Sequence, residues 1–440
     1  MTSPAAARAA GPGTCRALND RFALDLLLSR GPLTASQLAE LTGLSRPTVA
    51  DLVDRLRRTG LVEVVGEAGA DRRGPNARLY GLAAARAHIA GLDVRVDGIT
   101  IAVADLTGRT VATSELALLA DPRHELGDAG QEAGPGHEGA DPHRERDGCG
   151  VVAAERRAGT GDAGDRLPGS CLSRAMDAFD AVVREAGVTT LHTVAIGAPG
   201  LVDPATGVLV PATGHPGWHA ELSVELRRRG HRVLLENEVN LAGLAERRLG
   251  ATLDRDTFVL LWLGEGVGAA TILDDRLRRG ASGGAGELGF LPVPGATDLP
   301  TADACHGGFY GAVSAPAVLE LAERTGVPVP GDRRSAAAAV ATATQSTDAA
   351  SVAFLDALAL RIAIGVSAVC VVLDPGCVVL GGDLGRAGGA VLAERVAREV
   401  AMLSPLRTEI RSSGVSGNVV LQGAVLIASD EMHSDLFPGA

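Results

Sequence analysis

"LLLSRGPLTASQLAELTGLSRPTVADLVDRLRRTGLVEVVG", residues 26–66, divides by its own punctuation into three helices and a strand. The first helix is expected from about Asp20 to Ser29, stopped by Gly31-Pro32, since glycine loosens the last turn and proline has no N–H to continue it. Thr34 then opens a second helix as its N-cap, and Gln37, three residues on, completes a capping box. Gly43 makes the tight turn. Ser45 caps the third helix, with Pro47 in the first turn, where a missing N–H leaves no bond unmade. Leu52, Val53 and Leu56, continued by Leu61, give that helix its buried stripe and leave Arg46, Thr48, Asp51 and Arg55 on the other side.

Two short helices joined at a glycine, the second rich in Arg and Thr at its start, form a helix-turn-helix whose second helix fits the DNA major groove. Leu61–Val65 and Arg78–Leu82 read as strands, and the "GEAGADRRGPN" between them (66–76) reads as a wing against phosphate or the minor groove. Ser45, Arg46, Thr48 and Arg55 are therefore the candidates to read or flank base edges, and Arg72, Arg73 and Arg78 to fix the register on phosphate. With a formal net charge of −12, attraction of double-stranded DNA by the whole surface is excluded, so the contact must be a local basic patch. A helical protein-interaction module is the bland alternative, but it does not require the cap, turn, helix and wing to occur in this order.

Beyond Leu82 the pattern becomes α/β. "HIAGLDVRVDGITIAVADLTGRTVA" (88–112) carries two apolar strands, a turn at Thr107-Gly108 and a third strand, and "FVLLWLGEGVGAATILDDRLRRG" (258–280) repeats that design. The repetition predicts a duplicated fold with a ligand cleft between its halves. The 440 residues then divide into a DNA-binding domain, 1–82, and a larger domain, 83–440, interrupted at about 120–169 by a Gly-, Asp-, Glu- and Arg-rich stretch expected to be a disordered insertion. His124, His137, His143 and Cys149 within it match no zinc spacing. The six cysteines are scattered without a C-x-x-C pair and read as reduced, partly core thiols. The first twenty residues lack a signal-like apolar stretch, and the longest uncharged apolar run, Ile362–Leu373, falls short of the roughly 20 residues that span a bilayer. A cytoplasmic protein without membrane contact is expected. All 41 cationic side chains other than histidine are arginine, which points to a GC-rich genome rather than to a function.

"IGAPGLVDPATG" (196–207), "ENEVN" (236–240), "GEGVGAATI" with "GASGGAGELG" (264–272, 280–289) and "LDPGCVVLGGDLG" (373–385), behind a winged helix-turn-helix, make the chain resemble the ROK family of sugar-responsive repressors and sugar kinases. The resemblance implies an α/β architecture: a duplicated actin-like ATPase (ribonuclease H-like) domain following the winged helix-turn-helix. It also marks departures. Where family kinases have Asp-x-Gly-Gly-Thr to cradle phosphate, this chain has Asp93-Val94-Arg95-Val96-Asp97, and the second phosphate loop, Gly-Thr-Gly, has become Gly264-Glu265-Gly266. No ATP use, no catalytic residue and no cofactor are expected.

Glu238 stands where the family's general base would be, so Asn237 and Glu238 are expected to hold a ligand, with helix capping as the alternative role. Glu287 matches the family's sugar-binding glutamate, and His215 in "TGHPGW" (213–218) is a candidate to replace a sugar-binding Asn whose place Gly214 takes. Phe290 replaces the family's zinc-ligating His, and "ADACHGGFYGAVS" (302–314) offers only Cys305 and His306, so no metal is expected. The resemblance thus implies a regulator, a repressor on an inverted-repeat operator, acting as a homodimer or homotetramer and released by a sugar-like effector. A kinase with a rebuilt phosphate site and an effector-independent regulator are the competing readings.

Overall fold

The computed structural model describes residues 12–68, 77–118, 170–210, 218–295, 298–302, 304–329 and 335–438. The expected insertion, the wing residues Arg72 and Arg73, and His215 lie outside the described residues.

The N-terminal unit is α1 (Pro12–Arg30), β1 (Leu33–Thr34), α2 (Ala35–Thr42), α3 (Arg46–Arg58), β2 (Val62–Ala68) and β3 (Ala77–Leu82). The capping box of Thr34 and Gln37 forms, Gly43 closes α2 in the left-handed region at φ 69°, and Ser45 caps α3. Leu24, Leu27, Leu38, Val49, Leu52 and Leu56 make the core. Two details differ from the sequence expectation. α1 starts at Pro12 rather than near Asp20: proline is tolerated in a helix's first turn, and the added turns carry no apolar stripe that would mark them in the sequence. The wing hairpin also gains β1, a two-residue strand pairing with β3, too short to leave a periodic signal.

The first half of the larger domain comprises β4 (His88–Arg95), β5 (Gly98–Asp105), β6 (Thr110–Ala117), α4 (Cys171–Glu185), β7 (Val194–Ala198), the hairpin β8 (Leu201–Val202) and β9 (Leu209–Val210), α5 (Trp218–Arg228), β10 (Val233–Asn237) and α6 (Glu238–Leu249). The second half has β11 (Phe258–Leu263), β12 (Val267–Leu273), β13 (Arg276–Leu277), α7 (Tyr310–Val313), α8 (Ala315–Thr325), α9 (Ser335–Thr344), α10 (Ala349–Leu373), β14 (Cys377–Gly381), α11 (Gly382–Leu403), β15 (Glu409–Ser412) and α12 (Val419–Leu436). Each half is one five-stranded sheet, ordered β6-β5-β4-β7-β10 in the first and β13-β12-β11-β14-β15 in the second. In both, three antiparallel strands are followed by two parallel ones. The duplication read from the two strand-turn-strand segments is therefore present strand for strand.

α10 is long and apolar enough to cross a bilayer by length and composition. More than half of its most apolar window is buried inside the protein, with Phe354, Leu358, Ile362 and Val366 in the core of the second half. The C-terminal α12 packs on α6 and β4 and ends against α1, where Arg21 donates to the His433 carbonyl at 3.4 Å and lies 5.4 Å above the Phe437 ring. One continuous apolar core joins the N-terminal unit to this helix.

Candidate functional site

The first candidate surface is the start of α3. Ser45, Arg46 and Thr48 are all exposed there. The Ser45 hydroxyl accepts from the Thr48 N–H at 3.4 Å and shares a 2.8 Å hydrogen bond with the Thr48 hydroxyl, so the two fix each other while Arg46 projects beside them. Arg78 is exposed on β3, opposite Glu67. Arg55 corrects the sequence reading. Its Nε and Nη2 donate to the Asp20 carboxylate at 2.8 and 2.6 Å, and Asp20 is buried. This guanidinium ties α3 to α1 instead of standing free for a base. Asp20 lies in the middle of α1, thirty-five residues before Arg55, so no local pattern in the sequence announces this pair.

The second candidate is the cleft between the two sheets, where β4 and β10 end and α6 and α11 begin. β10 ends at Asn237 and α6 starts at Glu238. Asn237 is the N-cap: its side-chain oxygen accepts from Val239 and Asn240 N–H at 2.9 and 3.3 Å, and its amide donates to the Gly200 carbonyl at 3.1 Å. Of the two expected ligand-holding groups, the structure gives Asn237 the capping role and leaves Glu238 facing the charges of the cleft. Glu236 behind them is buried and held by Arg279 at 2.6 Å and Asn240 at 2.8 Å.

Desolvation, then the neighbouring Asp93 and Glu287 charges, push the Glu238 carboxyl up to about 7, against the relief given by Arg95. Glu287, on the open side of the cleft, is raised by desolvation alone. Its position depends on Gly286, whose φ is +96° and where a Cβ would lie 1.9 Å from the Ala269 carbonyl.

Across the cleft Asp93 is buried and locked. Arg95 Nε and Asn418 Nδ2 both donate to its Oδ2 at 2.8 Å. Burial works against the Arg95 charge, yet Asp93, Asp383 and Asp97 hold its pKa above the ordinary arginine value. Buried His219 on α5 props the same turn through its Nε2, 3.1 Å from the Arg95 carbonyl. Sequence reasoning missed Asn418, although an Asn before an apolar helix is a capping signal; its Oδ1 does cap α12, accepting from Leu421 N–H. Cys305 is buried, and His306 stacks edge-on against Tyr310. Among the described residues no three His, Cys, Asp or Glu side chains gather as a metal-ligand set.

A raised carboxyl has a pH signature. Between about 4.5 and 7 the folded chain keeps the Glu238 proton that the unfolded chain releases, so stability falls as pH rises through that window and levels off above it. Glu238→Gln is expected to flatten this part of the curve in urea unfolding measured from pH 4 to 8. An identical slope in the variant would assign it to another group.

The sequence pattern of the ROK family matches residues 165–431, more than half of the chain, and that of the MarR family matches residues 22–74. The glucokinase of Thermotoga maritima is 35% identical over 124 residues, covering 28% of this chain and 38% of that enzyme. The xylose repressor of Bacillus subtilis is 22% identical over 280 residues, covering 63% of this chain and 60% of the repressor. Each match thus spans less than two thirds of the relative's own length. Among solved structures, a ROK family transcriptional regulator described as a homolog of the E. coli MLC protein superposes with a TM-score of 0.64 at 17% identity, covering 95% of this chain and all of that one. The ROK hexokinase of Thermus thermophilus gives 0.56 at 21%, covering 79% and 99%. At these identities the superpositions speak for the fold alone. The match over residues 165–431, on the paired sheets and the cleft just described, is decisive: the chain belongs to the ROK family.

Proposed function

We propose that the chain is a transcriptional repressor that binds an inverted-repeat operator as a homodimer or homotetramer and is released when a sugar-like ligand enters the cleft, all of it in the cytoplasm. The observation that carries this reading is the exposed Ser45-Arg46-Pro47-Thr48 start of α3, the geometry of a recognition helix, in one core with a ROK cleft. The xylose repressor and the MLC-homologous ROK family regulator are both named for a regulatory role, which supports this reading over a kinase. Against a kinase stands Arg95, which occupies the turn where a phosphate cradle requires close backbone approach, with Asp97 and Asp383 adding negative charge beside it. Asp93 Oδ2 is already committed to Arg95 and Asn418, so this carboxylate is held by the chain itself rather than left open to a nucleotide's metal. ATP turnover coupled to a panel of hexoses and pentoses is expected to stay at background.

Release needs a ligand that binds two states unequally. α12 supplies a physical link for such a difference. Its cap Asn418 is bonded to Asp93 in the cleft, and its last turns hold α1 through Arg21; α1 in turn holds α3 through Asp20 and Arg55. A two-fold pair of these units would place recognition helices about 34 Å apart on one face of the duplex.

The test starts from operator fragments recovered from sheared genomic DNA. Arg46→Ala is expected to weaken specific binding by about 1–3 kcal/mol, if it pairs with a guanine, while leaving thermal stability unchanged; an unaltered operator affinity removes Arg46 from the readout. Glu238→Ala combined with Glu287→Ala should retain operator binding and lose release by the effector. Wild-type release in that double variant would contradict the cleft as the effector site.

A further inference from the structure

Apart from the cleft, a cavity of about 540 Å³ opens where the N-terminal unit meets the larger domain, between α1, the β5–β6 hairpin, α12 and the end of α6. That volume lies within the range of small-molecule sites. We propose that this seam is a second ligand site, for an uncharged, ring-sized amphipathic molecule carrying a hydroxyl or carbonyl group.

The character of the walls sets the class. Leu28 from α1, Ala102 from β5, and Val425 and Leu426 from α12 give an apolar lining. Charge is spent within the protein, because Arg248 and Asp430 form a bidentate pair at 3.0 and 2.6 Å, and His433 Nε2 lies 2.8 Å from the Leu106 carbonyl. A charged ligand would lose its hydration with no counter-charge to meet it. The polar lining from Thr107, Thr110, Thr113, Asn418 and Gln422 stands beside the apolar wall of α1 and α12, so a ligand with one apolar and one polar face fits better than a hexose with hydroxyls all round.

One polar group is left over. Ser429 Oγ lines the cavity, the residue is 7% exposed, and the hydroxyl has no hydrogen-bond partner among the described residues. Several helix hydroxyls fold back onto their own turn, as Thr42 does onto the Leu38 carbonyl at 2.6 Å and Thr325 onto that of Leu321 at 2.9 Å, whereas those of Ser367 on α10 and of Ser429 do not. A buried hydroxyl without a partner is costly enough to require one. The wall facing it is rigid, since Asp105 Oδ1 accepts from the Thr107 N–H and hydroxyl at 2.9 and 2.6 Å and from the Arg109 N–H at 3.2 Å, pinning the turn that carries Gly108.

The probe is 2-naphthol, uncharged at neutral pH and fluorescent according to its surroundings, with naphthalene as the partner lacking the hydroxyl. Thr113→Trp fills the cavity from its exposed rim on β6 without touching the core, and Ser429→Ala removes the hydroxyl with little change in volume. The full-length protein is expected to bind one 2-naphthol per chain. Thr113→Trp should abolish that binding, and Ser429→Ala should weaken it about fivefold while naphthalene binding stays level. No saturable binding below about 1 mM, or equal 2-naphthol affinity in wild type and both variants, would overturn the proposal. The readout needs neither an operator nor a sugar, so it stands or falls apart from the repressor reading.

Discussion

Replacing Glu246 with alanine is expected to cost the folded state about 3–5 kcal/mol, the largest single-residue loss outside the apolar core. Glu246 lies on α6 with no exposed surface, and its two oxygens accept from the N–H groups of Ala251 at 2.8 Å, Gly414 at 3.1 and 3.2 Å and Val415 at 3.3 Å, and from the Ser413 hydroxyl. One carboxylate therefore ties the chain leaving α6 to the loop that leads from β15 into α12. Alanine would strand these donors in a space water reaches poorly, and each unpaired buried N–H costs on the order of 1–3 kcal/mol. Gln keeps one acceptor oxygen but turns an NH2 toward the remaining donors, so roughly half the loss is expected. Urea unfolding at pH 7 with an unchanged m-value measures it. A midpoint within error of wild type would mean that Ser413–Val415 is held by something else. Gly250 belongs to the same arrangement, since a Cβ there would fall 2.0 Å from Glu246 Oε2. Even Gly250→Ala is therefore expected to disturb the carboxylate.

Local chemistry made much of this fold legible in the sequence. Thr34, Gln37, Gly43, Ser45 and Pro47 act within one or two turns of themselves, so helix limits in the N-terminal unit could be read from caps alone. The duplicated sheets were legible because β4, β5, β11 and β12 each carry an apolar run broken by polar turn residues. The long-range ties were not legible. Nothing in the neighbourhood of Arg55 in sequence says that Asp20, thirty-five residues earlier, will claim it, and Asp93 and Asn418 meet across 325 residues. In the cleft, the exchange of Gly for Arg at 95 was visible as a loss of phosphate-binding backbone. The gain that accompanies it, an Asp93–Arg95–Asn418 lock on the first turn of α12, needed coordinates. The same limit applies to Asn237: residue type fitted a ligand contact and a cap equally, and only the bonds to Val239, Asn240 and Gly200 separate them.

The lock between α1 and α3 carries the second large expectation. Arg55→Met leaves the Asp20 carboxylate buried without its partner and is expected to destabilise the N-terminal unit by about 3 kcal/mol; Asp20→Asn should cost less, because Arg55, with a third of its side chain exposed, can still turn to water. Since a buried pair contributes mainly by matching its own desolvation, exchanging both residues for leucine should recover most of the loss, and the cycle of Arg55→Leu, Asp20→Leu and the leucine pair should show a strongly favourable coupling. Operator binding separates this structural role from base contact. At 25 °C, where each variant remains folded, Asp20→Asn frees the Arg55 guanidinium and Arg55→Met deletes it. If Arg55 only braces α3, both variants weaken the operator complex similarly, through loss of the fixed recognition helix, and the leucine pair restores it. If Arg55 also reaches DNA, Asp20→Asn would bind as well as wild type or better, while Arg55→Met and the leucine pair would both stay weak. The bidentate geometry at 2.6 and 2.8 Å favours the first outcome. Arg46, with no such partner among the described contacts of α3, then remains the arginine through which that helix would read a base.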